Sequence, residues 1–146
     1  MVLVDTTVWI DFFGGRTEPH VVALEEFIED DADLCLCGVI LAEVLQGIRS
    51  DAEYRKTKDY LDALIFLPMR QVTFVRASDL YRSLRKKGVT IRKPIGCMIE
   101  SVATEHDLPL LHNDRDFDLL AKHARLKIAR RKKPSQTSPR RPKGRG

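Results

Sequence analysis

Short apolar runs alternate along this chain with longer stretches in which apolar residues recur at spacings of three and four. Such a change of period separates strands from amphipathic helices. "MVLVD" reads as a short strand ending at Asp5, and "TTVWIDFF" as a helix with a Thr cap, stopped by Gly14 and Gly15. In "EPHVVALEEFIEDD" Pro19 suits a first helical turn, and Val22, Leu24, Phe27 and Ile28 form an apolar stripe. "DLCLC" reads as a second strand, followed by a helix "GVILAEVLQGI" running to about Ile48. Residues 51–64 read as helix, and "IFLPM" as a short strand or loop from which Pro68 excludes a central-strand role. "TFVRASDLYRSLRKKG" is an amphipathic helix closed by Gly88. "PIGCMIESVATEHD" is a helix starting near Pro94, "LPLLHND" a strand ending at Asp114, "FDLLAKHA" a last helix and "LKIA" an edge strand. Strands alternating with helices predict an α/β domain around a mostly parallel sheet.

A length of 146 residues suits one domain, able to bury a core without disulfides. No apolar run is long enough to span a bilayer, and the first residues have no basic stretch preceding an apolar one, so a cytoplasmic protein is expected. The three cysteines form no disulfide framework, and the four histidines stand at no zinc-ligand spacing, so buried reduced thiols are expected. The net charge of +4 is misleading. Eight basic residues and no acid lie from Arg130 onward; without them 17 basic residues face 21 acidic ones, a balance of −4. The expected organisation is a folded domain over 1–128 and a basic, disordered tail over 129–146. That tail either contacts nucleic-acid phosphates non-specifically or is a solvated end.

The acids carry the chemistry. Asp5 ends the first strand, and Asp114 and Asp116 follow the "LPLL" strand. In open α/β sheets ligands bind at that edge. Glu43 sits on a largely apolar helix, either facing solvent or held in a pocket by a cation or hydrogen bonds. Carboxylates brought together repel unless a divalent ion sits among them, and an all-oxygen set suits Mg²⁺ or Mn²⁺. Such a cluster points to phosphoryl chemistry on nucleic acid or nucleotide. An aspartyl-phosphate phosphatase is disfavoured: Thr7, not Asp, follows Asp5 by two residues, and no phosphate-binding loop is present.

Four blocks in order, "MVLVDTTVWIDFF", "GVILAEVLQGI", "TIRKPIGCMIESVA" and "LLHNDRDFDLLAKH", resemble those of VapC-type PIN domains. The resemblance covers roughly residues 1–128. It implies a three-layer α/β/α PIN fold, Mg²⁺-dependent cleavage of single-stranded RNA or tRNA, a homodimer and an inhibitory antitoxin. Carried over by position, Asp5, Glu43, Asp114 and Asp116 match the family's catalytic and metal-binding acids, and Thr7 a hydroxyl beside the metal. The departure is Gly96, which stands where the family shows a metal-binding Asp at a helix start. Gly at an N-cap costs only a few tenths of a kcal/mol relative to Asp, so the fold should survive while activity falls. The change is either natural, leaving a noncatalytic module that binds antitoxin and RNA, or engineered.

Glu100 lies one turn after Gly96, where it either replaces the missing ligand or faces solvent. Arg82, Arg85, Lys86, Lys87, Arg92 and Lys93 cluster before the third block. Of these, Arg85, Lys86, Arg92 and Lys93 are the candidate phosphate contacts. Trp9, Phe12, Phe13, Leu41 and Leu45 are core residues or line an antitoxin or dimer contact.

Overall fold

A computed structural model describes residues 1–130. The segment 131–146, most of the expected basic tail, lies outside the described residues. The order is β1 (Val2–Val4), α1 (Thr6–Phe13), α2 (Pro19–Glu29), β2 (Leu34–Cys37), α3 (Gly38–Gln46) and α4 (Asp51–Asp62). Then come β3 (Ile65–Leu67), α5 (Gln71–Lys86), α6 (Pro94–Glu105), β4 (Pro109–Leu111), α7 (Arg115–His123) and β5 (Lys127–Ile128). The five strands form one sheet in the order β3-β2-β1-β4-β5, with every neighbouring pair parallel. The parallel sheet is what the alternation of periods predicts, and the helices make this the three-layer α/β/α fold that the resemblance implies.

The central strands are fully apolar because both faces of a parallel sheet are covered. Val2, Leu3 and Val4 in β1 and Leu34 to Cys37 in β2 are all buried. Leu3 pairs with Cys35 on one side and Leu110 on the other, at the centre of the core. Leu3→Ala is therefore expected to cost about 3 kcal/mol or more, read as a lowered urea midpoint with unchanged slope. β3 ends at Leu67, before Pro68, and is an edge strand whose Phe66 is exposed. β5 is the other edge. Ala129, expected to begin the tail, is buried and donates its N–H to Leu110 O at 2.8 Å.

Helix ends follow local chemistry. Gly88 takes φ +79°, as a residue without Cβ can, and Val89 N–H returns to Leu84 O at 2.9 Å, closing α5. α6 begins with Pro94 in its first turn, after an N-cap at Lys93. All three cysteines are free and buried. Burial pushes the Cys37 and Cys97 thiols up to about 11, so they remain protonated packing groups.

Candidate active site

The strand order reverses between β1 and β4: the chain runs outward from β1 through β2 to β3, and from β4 to β5 on the other side. A crevice opens at the carboxyl ends of the strands at such a switch point. Asp5 leaves β1 there, with its N–H bonded to Leu111 O at 2.9 Å. The cap of α1 is Asp5, not the expected Thr, because its carboxylate accepts from the N–H of Thr7 at 3.4 Å. Thr7 Oγ1 donates to the same oxygen at 2.9 Å.

From α3, Glu43 reaches into the crevice rather than to open solvent, and Thr6 Oγ1 donates to its Oε1 at 2.7 Å. The β4 strand stops at Leu111, three residues earlier than the sequence pattern suggests, because Asp114 serves as the N-cap of α7. Asp114 Oδ1 accepts from the N–H of Asp116 at 2.9 Å. The N–H of Asp114 donates to His112 Nδ1 at 3.0 Å. Burial lowers the pKa of His112, so its ring is neutral, and this bond leaves the proton on Nε2, 3.5 Å from Asp118.

Asp5, Thr6, Thr7, Glu43, Gln46, Lys93, Gly96, Asp114 and Asp116 line one cleft of about 210 Å³. All four acids expected from the sequence, Thr7 and Gly96 are therefore brought together. Their roles differ. Asp116 is buried and committed to the loop before α6: its Oδ2 accepts from Arg92 N–H at 3.0 Å. The Arg92 guanidinium lies 3.2 Å from Asp114 and 3.6 Å from Asp116. Burial raises the pKa of Asp5 to about 6 despite the Thr7 hydrogen bonds, with the charge of Glu43 adding a smaller push.

The donor set is all carboxylate oxygen, which suits a hard divalent cation. A buried Asp5 whose charged form is disfavoured by burial is a group that such a cation would satisfy. These acids do not close to a tight triplet. Among the described residues, Asp11, Glu18 and His20 form the group whose ligand atoms all lie within 4.8 Å of one another. That group is outside the cleft and is partly offset by Arg16, 3.4 Å from Asp11 and 3.7 Å from Glu18. An open cleft remains compatible with Mg²⁺, which is commonly held by one or two carboxylates and keeps several waters.

Gly96 is not at the helix N-cap, as the sequence reading supposed, but third in α6, with its N–H donating to Lys93 O at 3.0 Å. A Cβ added there would meet Leu120 and Ile91 at 3.8 and 3.9 Å, ordinary contact, so a side chain can be carried. Glu100 does not line the cleft and is buried rather than surface-exposed. Its Oε2 accepts from Thr104 Oγ1 at 3.0 Å, and burial raises its pKa. Glu100→Ala should accordingly leave Mn²⁺ affinity, read by calorimetry, unchanged within about twofold.

Of the expected phosphate contacts, Lys93 lines the cleft and Arg92 clamps its acids. Arg85 and Lys86 stand exposed in the last turn of α5, outside this cleft. Thr6 and Gln46 line it without having been singled out. The Thr6 bond to Glu43 spans 37 residues of sequence, so no local pattern announces it. Trp9 is fully buried within a ring cluster with Phe12, Phe13 and Tyr60, and Leu41 and Leu45 pack against the core.

Comparison with known proteins agrees with this geometry. The PIN domain family matches residues 2–123. Two similar relatives are VapC ribonuclease Mb1587 of Mycobacterium bovis and Ribonuclease VapC11 of Mycobacterium tuberculosis. Each is 28% identical over 131 residues, covering 88% of this chain and 98% of the relative. Among solved structures, VapBC2 from Rickettsia felis, bound to a promoter DNA fragment, superposes with a TM-score of 0.70 at 17% identity, over 88% of this chain and 98% of that one. VapBC-5 from Mycobacterium tuberculosis gives 0.65 at 21%, over 88% and 97%. At those identities the structures speak to fold alone; the family match spans most of the chain. With the acids of two separated strands meeting at the switch point, the chain belongs to the PIN domain family and is of the VapC type.

Proposed function

We propose that this chain is the toxin of a toxin–antitoxin pair, an endoribonuclease of single-stranded RNA or tRNA that uses Mg²⁺, with Mn²⁺ able to substitute. Its activity is attenuated at Gly96. The observation that carries the reading is the convergence of Asp5, Glu43 and Asp114 on one cleft at the β1–β4 switch point. VapC ribonucleases among the relatives, and toxin–antitoxin complexes among the structural neighbours, support the activity and an antitoxin partner. A homodimer in the cytoplasm is part of the same reading. No helix among the described residues is long and apolar enough to cross a membrane.

Asp5, Glu43 and Asp114 would hold the cation. Bound there, it supplies positive charge against the phosphate oxygens and acidifies an adjacent water. Thr6 and Thr7 fix the carboxylates of Glu43 and Asp5, Asp116 and Arg92 brace the Asp114 side, and Lys93 faces the incoming phosphate. Hydrolysis joins the water oxygen to phosphorus and breaks one P–O ester bond; a cleft carboxylate takes the water proton and the departing ribose oxygen takes a proton from solvent.

Gly96 favours a second reading, a noncatalytic PIN module that dimerises and binds antitoxin and RNA. One experiment separates them: labelled single-stranded RNA is incubated with Mg²⁺ or Mn²⁺ and either this chain or its Gly96→Asp form. Cleavage that appears on substitution and stops with EDTA supports a disarmed nuclease. No cleavage by the substituted chain on any RNA tested favours the module. Full-rate cleavage by the unaltered chain would remove the attenuation.

A further inference from the structure

A second cleft of about 510 Å³ adjoins the first, sharing Asp116, and is lined by Thr90, Arg92, Arg115, Asp118, Leu119 and Lys122. Thr90 and Arg92 come from the 87–93 loop and the rest from α7. On that helix, residues 115, 118, 119 and 122 are spaced by three and four and share a face. We propose that this groove carries the RNA backbone flanking the scissile phosphate, with Arg115 and Lys122 as its phosphate contacts. The proposal rests on the ribonuclease reading above and gives it a strand direction: out of the carboxylate cleft, past Asp116 and Arg92, along α7.

Charge bookkeeping supports this path. Residues 1–129 carry a net −4, so RNA needs a local track of opposite sign to approach four carboxylates. Of the groove's acids, Asp116 is engaged by Arg92, while Asp118 is exposed beside a neutral His112 and is outnumbered by Arg115 and Lys122. Arg115 and Lys122 are exposed, and among the described residues neither makes an ion pair. The free charge in the groove is therefore positive. Seven residues of helix separate the two by roughly 10 Å along the axis, too far to serve one phosphate and suited to different ones.

The test is fluorescence anisotropy of a labelled single-stranded RNA oligonucleotide on the full chain, in EDTA, across a salt series. Arg115→Ala/Lys122→Ala should weaken binding about tenfold and reduce the slope of log affinity against log salt by about 1.4, near 0.7 per lost phosphate contact. A charge-matched control on α4, Arg55→Ala/Lys56→Ala, should shift affinity by less than about twofold. Circular dichroism verifies that all variants are folded. Unchanged affinity and slope for the α7 pair, with RNA still bound, would overturn the groove while leaving the ribonuclease reading intact. A loss confined instead to Arg85→Ala/Lys86→Ala would move the strand onto α5 and equally overturn it. Failure of the unaltered chain to bind RNA at all would sink both.

Discussion

Replacing Gly96 by Asp is expected to raise metal-dependent RNA cleavage by about two to three orders of magnitude. The site is third in α6, buried, lining the carboxylate cleft, and has room for a Cβ at ordinary contact distance from Leu120 and Ile91. A restored ligand there would stabilise charge at the reacting phosphate by roughly 3 to 4 kcal/mol, which sets the expected rate gain. Metal affinity should rise with it, by at least about tenfold in Mn²⁺ calorimetry. The metal-free fold should hardly notice. Asp is a somewhat better helix residue than Gly and its charge suits a first turn, worth a few tenths of a kcal/mol each, while repulsion from Asp5, Glu43 and Asp114 opposes this. An unchanged Mn²⁺ affinity in the folded variant would mean that position 96 does not address the metal.

Asp5→Asn should have the opposite pattern, a more stable protein without function. Burial raises the Asp5 pKa from 3.8 to about 6, so the folded state holds this proton more tightly than the unfolded chain does. The sign follows from proton linkage. A carboxyl whose folded pKa is raised lets stability fall as pH climbs from about 4 to about 6 and leaves it level above. The accumulated cost near pH 7 is about 3 kcal/mol on an order-of-magnitude scale. Asn removes that cost and keeps the capping role, since its side-chain oxygen can still accept from the N–H of Thr7.

In EDTA at pH 7.5 the variant should melt about 5 to 10 °C higher, and the difference should shrink towards zero below about pH 4. Mn²⁺ should then raise the melting temperature of the unaltered chain and not that of Asp5→Asn, because mass action stabilises only a fold that binds the ion. A pH-independent difference, or a variant less stable in EDTA, would refute the raised Asp5 pKa.

These two substitutions describe one conflict. The fold places a carboxylate at 3% exposure beside a second acid, an arrangement that costs stability until a cation arrives. Gly96 relieves part of that repulsion by leaving a neutral position where another acid would add to it. Arg92 relieves more of it from the other side, by engaging Asp114 and Asp116.

The order of elements is readable from the chain because it depends on local periodicity. β1 and β2 are continuous apolar runs, α5 and α6 have their stops and starts marked by Gly88 and Pro94, and Pro68 confines β3 to an edge. The candidate acids are readable for the same kind of reason, since Asp5 and Asp114 follow strand-like runs directly. Helix caps are less so. Asp5 rather than a Thr caps α1, and β4 stops at Leu111, three residues before Asp114, because side-chain caps set where each segment turns.

The sequence by itself determined the α/β alternation, the absence of a disulfide framework and which carboxylates were available for a metal. Tertiary structure alone decided what each one does. It turned Glu43 inward through a hydroxyl 37 residues away, tied Asp116 to Arg92 across 24 residues, and sent Glu100 to Thr104 rather than to the gap beside Gly96. Those outcomes depend on which helices pack against which and on the sheet reversing between β1 and β4. Hydrophobic periodicity fixes the face a residue occupies, but the neighbour it meets there is set by long-range packing.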